Sequence, residues 1–228
     1  FLDGVCPPAD LAHRAAELGY QALALTDHDS LAGLIEHTRA CRAAGITPIA
    51  GCEITLVDGH HLTLLARDAA GYRSLCQIVS HAQLTGTKGA PRVALDELAP
   101  FTAGIECLTG CRRGAVAAAL LAGDDGAAAS ALDRLCALFG RHRLWIEVQH
   151  RQEEGTRRLI AGLARLARRI NRPLVATGNT HYVSPPQRQL QDVVVCIRQR
   201  LPLEHAALRP GAPWHLPSPA EMAQRFSN

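Results

Sequence analysis

The segment QALALTDHDSLAGLIEHTRACRAAGITPIAGCEITL, residues 21–56, decides how the whole chain is read. Gln21 to Thr26 is a short apolar run of strand length, closed by the polar triplet Asp27-His28-Asp29. From about Ser30 to Ala44 the apolar residues recur with helical spacing, and Gly45 stops the helix. Thr47 to Ile54 is apolar and strand-like again. Strand, helix and strand in direct succession form a βαβ unit, whose helix carries the chain back so that the second strand can run parallel to the first.

The same alternation extends outward in both directions. Pro7 to Gly19 reads as a helix, with proline early and glycine at its end. Further strands are predicted over His61 to Arg67, Gly104 to Thr109, Arg143 to Gln149 and Pro173 to Thr177. Helices are predicted over about Gly71 to Leu84, Gly114 to Ala122, Ala127 to Phe139, Glu154 to Ile170 and Gln187 to Arg198. Six apolar strands alternating with helices predict an α/β fold with a largely parallel sheet, covered on both faces or rolled into a barrel. Past about Leu201 the chain turns proline-rich and loses periodicity. It then reaches Ser218-Pro-Ala-Glu221, a capping-box start for a short helix.

Composition limits the alternatives. The chain has 228 residues, 47% hydrophobic and 20% charged, which fits a globular fold and neither a disordered nor a fibrous one. Its apolar runs are too short for a membrane span. A net charge of +3 is too small to argue for nucleic-acid binding, although Arg151, Arg157, Arg158, Arg165, Arg168 and Arg169 give one helix a basic face. The eight cysteines include no C-x-x-C pair, and no secretory signal peptide is present, so a reduced, cytoplasmic protein is expected. The chain opens at Phe1 and its only methionine is Met222, which reads as a piece of a longer protein. No glycine loop for phosphates and no G-x-S-x-G elbow occurs.

Metal-ligating residue types collect where strands end. Asp27 and His28 follow the first strand, Cys52-Glu53 the second, Cys111 the fourth, His150 the fifth, and Asn179 and His181 the sixth. His61 breaks the rule, because it opens its strand. Each of these taken alone is as readily a turn, a cap or a surface group. Their convergence at one end of a barrel favours a site for zinc, manganese or iron that activates water for phosphoryl displacement. His13, His37, His81 and His142 fall on helices or a helix end and are expected at the surface or its boundary.

FLDG (1–4), LALTDHDSLAGL (23–34), PIAGCEITL (48–56), HLTLLARDAAGYRSL (61–75), TGCRRG (109–114), EVQH (147–150), VATGNTHY (175–182), LQDVVVCIR (190–198) and the tail HLPSPAEMAQRF (215–226) come in a recognisable order. Together they resemble the polymerase and histidinol phosphatase (PHP) domain that begins bacterial C-family DNA polymerases, most closely the error-prone branch. The resemblance implies a distorted seven-stranded β/α barrel whose first strand, ending in a His-x-His pair, would precede Phe1. It implies a PHP domain over residues 1–200, with 201–228 a linker and the start of a polymerase region. Of nine family positions for three divalent metal ions, zinc or manganese, the seven present here are Asp3, His28, Glu53, His61, Cys111, Asn179 and His181. Asn179 stands where the family usually has aspartate, and a neutral amide is a weaker ligand. Asp27 and His150 rest only on the strand-end argument.

For function, the resemblance implies the N-terminal domain of a DNA polymerase of replication or damage-tolerant repair. The domain itself is either a metal-dependent 3′–5′ exonuclease or a scaffold. The parent would use magnesium, DNA and deoxynucleotides, with the polymerase region in cis, damage-tolerance proteins as further partners and no membrane. The competing reading is a free-standing phosphoesterase, such as a histidinol-phosphatase-like enzyme.

Overall fold

A computed structural model describes residues 3–150, 154–206, 208 and 214–227. Six strands form one sheet in the order of the chain: β1 (Ala22–Leu25), β2 (Thr47–Thr55), β3 (His61–Ala66), β4 (Ile105–Leu108), β5 (Leu144–Val148) and β6 (Leu174–Ala176). Helices α1 (Pro8–Glu17) to α7 (Arg188–Gln199) intervene: α2 (Leu34–Ala43), α3 (Ala69–Thr85), α4 (Ala115–Leu121), α5 (Asp125–Phe139) and α6 (Thr156–Arg169). Helix α8 (Pro219–Phe226) follows. All six predicted strands are present. A 3-10 helix at Leu95–Phe101 was not foreseen.

The sheet is largely parallel, as expected, with one strand reversed. β1 and β2 are parallel, as are β4, β5 and β6, but β3 runs antiparallel to both neighbours. The reason is the connection. Between β2 and β3 stand only Leu56 to His60, too few residues for the helical crossover a parallel pair needs. They make a tight turn instead, with the Leu56 N–H donating to the His60 carbonyl at 2.8 Å and Gly59 at φ +83°. Reversal of β3 also explains His61: the start of an antiparallel strand lies at the same edge as the ends of its parallel neighbours.

Alternation along the strands divides the side chains between two faces. Ile54, Leu62, Leu64, Ile105, Leu144 and Ile146 are fully or almost fully buried, in one core with Ile78 of α3, Leu132 and Phe139 of α5 and Leu163 of α6. Thr63, Leu65, Glu106, Trp145 and Glu147 line a cavity of about 1700 Å³ on the opposite face. Both edge strands, β1 and β6, contribute to that cavity, so the sheet is curled into a half-barrel around it. The inner face is more polar than the continuous apolar runs suggested. Trp145 donates Nε1–H to Glu106 at 2.7 Å, and the Arg172 guanidinium lies 4.3 Å from the Trp145 ring centre.

Two surface expectations also meet the structure. On α6, Arg165 and Arg169 point at Asp125 and Asp133 of α5, so part of the basic face is neutralised within the domain; Arg151 lies outside the described residues. None of the eight cysteines is in a disulfide, and burial pushes the Cys52 thiol up to about 12. His37, expected at the surface, is instead 1% exposed on α2, 3.0 Å from the Leu23 carbonyl.

Burial lowers the His37 pKa below its ordinary value, so the unfolded chain takes up this proton more readily than the folded one. His37 therefore favours the fold above about pH 6.5, and that contribution is lost as pH falls through the folded pKa. Thermal melts between pH 7.5 and 5.5 are expected to show a steeper fall in Tm for the wild type than for His37→Gln; parallel pH profiles would contradict this.

Candidate metal centre

The centre begins where β1 and β2 run on past their regular pairing. The Glu53 N–H donates to the Asp27 carbonyl at 3.0 Å, and the Asp29 N–H to the Glu53 carbonyl at 2.9 Å. These bonds bring His28 alongside Glu53. Asp29 holds the left-handed φ of +49° that the turn requires, and its carboxylate is fixed by the Thr55 N–H at 2.8 Å and the Thr55 hydroxyl at 2.7 Å. The β2–β3 hairpin supplies the third group. Thr55 pairs with His61 and Glu53 with Thr63, which leaves His61 Nδ1 in a short contact with Glu53 Oε1.

His28, Glu53 and His61 each present one ligand atom, and these atoms lie within 4.8 Å of one another. Cys111, after β4, adds its Sγ at 3.8 Å from His61 Nδ1 and 4.0 Å from Glu53 Oε1. The turn that carries it depends on Gly110, at φ +86°, where a Cβ would meet the His61 carbonyl at 2.4 Å. Across the mouth of the cavity, Asp3 Oδ2 lies 3.0 Å from His181 Nε2 and 3.4 Å from His28 Nε2. His28 thus joins two groups, one built on the hairpin and one on Asp3 with His181.

Electrostatics mark the cluster as a place for positive charge. His28 is raised above its ordinary pKa, first by its hydrogen bond to Asp3 and, against the cost of burial, by the charges of Glu53 and Asp3. Burial alone would raise Glu53, but the hydrogen bond from His61 and the neighbouring imidazoles outweigh it and hold the carboxyl low. An ionised carboxylate, two imidazoles and a thiol within reach of one point fit a divalent cation of the zinc class.

The remaining predicted residues stand differently. Asn179 has a left-handed φ of +47°, and its backbone carbonyl lies 2.9 Å from His181 Nδ1, where it orients a neighbouring imidazole. Asp27 lies outside the three-residue cluster; its carboxylate is near Gly33 at the start of α2, and burial raises its pKa. His150 packs its ring against Phe226 of α8, with centres 5.7 Å apart.

Three residues of the site left no mark in the sequence pattern. Arg198 of α7 donates to Asp3 Oδ1, and Gln191 of the same helix donates to the Asp3 carbonyl at 2.8 Å. Trp214 sets its ring edge-on to His181 at 4.8 Å between centres, while the His181 N–H donates to the Trp214 carbonyl at 2.8 Å. Trp214 therefore packs against the centre, and Leu216 and Pro217 line the cavity beside it. Gln191 and Arg198 share one helix face, but polar residues at that spacing are the rule on exposed helices and single out nothing.

The profile of the PHP domain family matches residues 1–151. Among curated relatives, an error-prone DNA polymerase of Mycolicibacterium paratuberculosis is 39% identical over 241 residues, covering 100% of this chain and 22% of its own length. A DNA polymerase III subunit alpha of Treponema pallidum is 33% identical over 211 residues, covering 86% of this chain and 18% of its own. The chain thus spans about a fifth of the length of these relatives. A solved Bifidobacterium adolescentis protein, assigned as a metal-dependent phosphoesterase, aligns with a TM-score of 0.46 and 20% identity, over 78% of this chain and 84% of its own.

Replacing Gly110 by alanine is expected to cost about 1–3 kcal/mol of stability, since both the φ and the contact with the His61 backbone oppose a Cβ. The same change displaces a ligand-bearing backbone, so zinc affinity measured by competition with a chelating dye should fall at least tenfold. Unchanged affinity in a destabilised variant would show that the turn does not position His61.

Proposed function

The chain belongs to the PHP domain family, and we propose that it is the N-terminal module of a bacterial DNA polymerase of the error-prone type, with a metal centre that acts on phosphodiesters. The observation that carries this reading is the His28–Glu53–His61 cluster, with Cys111 beside it, of which His28 and Glu53 line the large cavity. Similarity to error-prone DNA polymerases over the whole of this chain, though over only 22% of their length, supports the assignment of the parent protein. Such a parent would bind DNA and deoxynucleotides and use magnesium in a polymerase region beyond this chain, in the cytoplasm. Among the described residues no helix is long and apolar enough to cross a membrane.

In this reading His28, Glu53, His61 and Cys111 hold one divalent ion, zinc or manganese, and Asp3 and His181 extend the centre across the mouth. A bound ion there supplies a water of lowered pKa and neutralises charge on a phosphoryl oxygen. The chain's own residues do the rest. Glu53 keeps its carboxylate ionised by accepting from His61, Asp3 orients His28 and His181, and the Asn179 carbonyl fixes the His181 ring. The barrel boundary near residue 200, and a first strand preceding Phe1 and lying between β1 and β6, belong to the same proposal.

A second reading, a scaffold without hydrolytic activity, is favoured by the neutral Asn179 and by the cation already paired with Asp3. The two separate experimentally. In the full-length protein, Glu53→Gln is expected to remove bound metal, seen by elemental analysis, and to lower 3′–5′ exonuclease activity at least a hundredfold. Asn179→Asp should raise metal content. Metal retained by the wild type with no exonuclease activity in either the wild type or Asn179→Asp would establish the scaffold.

A further inference from the structure

Helix α7 reaches into the metal centre from outside the sheet. Gln191, Val195 and Arg198 recur at intervals of four and three residues, so they share one face of the helix. Gln191, 2% exposed, binds the backbone carbonyl of Asp3, and Arg198 binds its carboxylate through Oδ1. Asp3 is thereby held at two points. Its other oxygen, Oδ2, faces His181 and His28. A guanidinium stays protonated throughout the working pH range, so Asp3 carries a permanent counter-charge, whereas Glu53 faces the imidazoles of His28 and His61.

We infer that Arg198 is a positioning residue that limits how many divalent ions the centre holds, by supplying at Asp3 the positive charge that a further ion would otherwise bring. The inference rests on reading the cluster as a metal centre. An ion approaching Oδ1 must displace a charge-assisted hydrogen bond, and one bound at Oδ2 stands close enough to a fixed positive charge to be repelled. On the other side, no arginine or lysine pairs with Glu53 among the described residues, which makes the His28–Glu53–His61 group the strong position. Gln191 keeps the Asp3 backbone in place, so its role is geometric, whereas that of Arg198 is electrostatic.

The test is manganese titration of the full-length protein, following free Mn²⁺ by its electron paramagnetic resonance signal. The Glu53→Gln protein is titrated in parallel to subtract ions bound elsewhere. Arg198→Gln should gain one equivalent of Mn²⁺, or bind its weakest ion at this centre at least tenfold more tightly, while Arg198→Lys stays within threefold of the wild type. Combining Asp3→Asn with Arg198→Gln should abolish that gain, because the added ion would need the Asp3 carboxylate. Circular dichroism melts confirm that each variant is folded. If Arg198→Gln fails to fold, Arg198→Met takes its place with the same expected gain, and no gain in that folded protein overturns the inference. So does equal gain in Arg198→Gln and Arg198→Lys, or no gain in a folded Arg198→Gln protein. A wild type that binds no more Mn²⁺ than Glu53→Gln sinks the metal reading itself, a result distinct from all of these.

Discussion

The reversal of one strand organises this molecule. With only Leu56 to His60 between them, β2 and β3 must pair antiparallel, and that pairing sets Thr55 opposite His61 and Glu53 opposite Thr63. The contact between the Glu53 carboxylate and the His61 imidazole follows from the register. A slip of one residue would turn every side chain of the strand to the other face and separate the two groups. His28 then enters because β1 continues its pairing past its last regular residue, and Cys111 enters because Gly110 lets the chain turn over the start of β3. Four candidate ligands, of three chemical types, meet from four segments through backbone geometry alone.

Much of this was legible in residues 21–56 and their continuation. Strand positions followed from short apolar runs between glycines and polar triplets, because burial on the helix-covered face demands them. Strand direction did not, since an apolar run reads the same either way. A cue was present in Asp58-Gly59, a dipeptide that favours tight hairpin turns, and it accounts for the place of His61. The pocket-facing side of the sheet was less legible. Glu106 and Trp145 satisfy each other across neighbouring strands, a pairing that periodicity within either strand cannot show.

The outlying parts of the centre were legible only through family resemblance or not at all. Asp3 sits in a tetrapeptide without periodicity, and its partners Arg198 and Gln191 lie on a helix whose polar face looks ordinary. Residues 214–217 read as a proline-rich linker, yet Trp214 and Leu216 are each 6% exposed, one against Tyr182 and the other in a core with α1 and α2. Single contacts of this kind leave no repeating signature. His37 misled for a related reason: a histidine on an amphipathic helix resembles a surface group, and only its neighbours decide that it is buried.

Sequence separation divides the centre into two halves with different folding histories. The bond between His61 and Glu53 closes a loop of only 8 residues, and His28 joins through the adjacent βαβ unit. Asp3 meets His181 across 178 residues and Arg198 across 195. Loop closure over such distances is paid for only after most of the sheet has formed. The hairpin half is therefore assembled while the chain is still incomplete, and the Asp3 half waits for α7. During synthesis, the residues of the Glu53–His61 contact are available well before Arg198, the partner of Asp3, has been added.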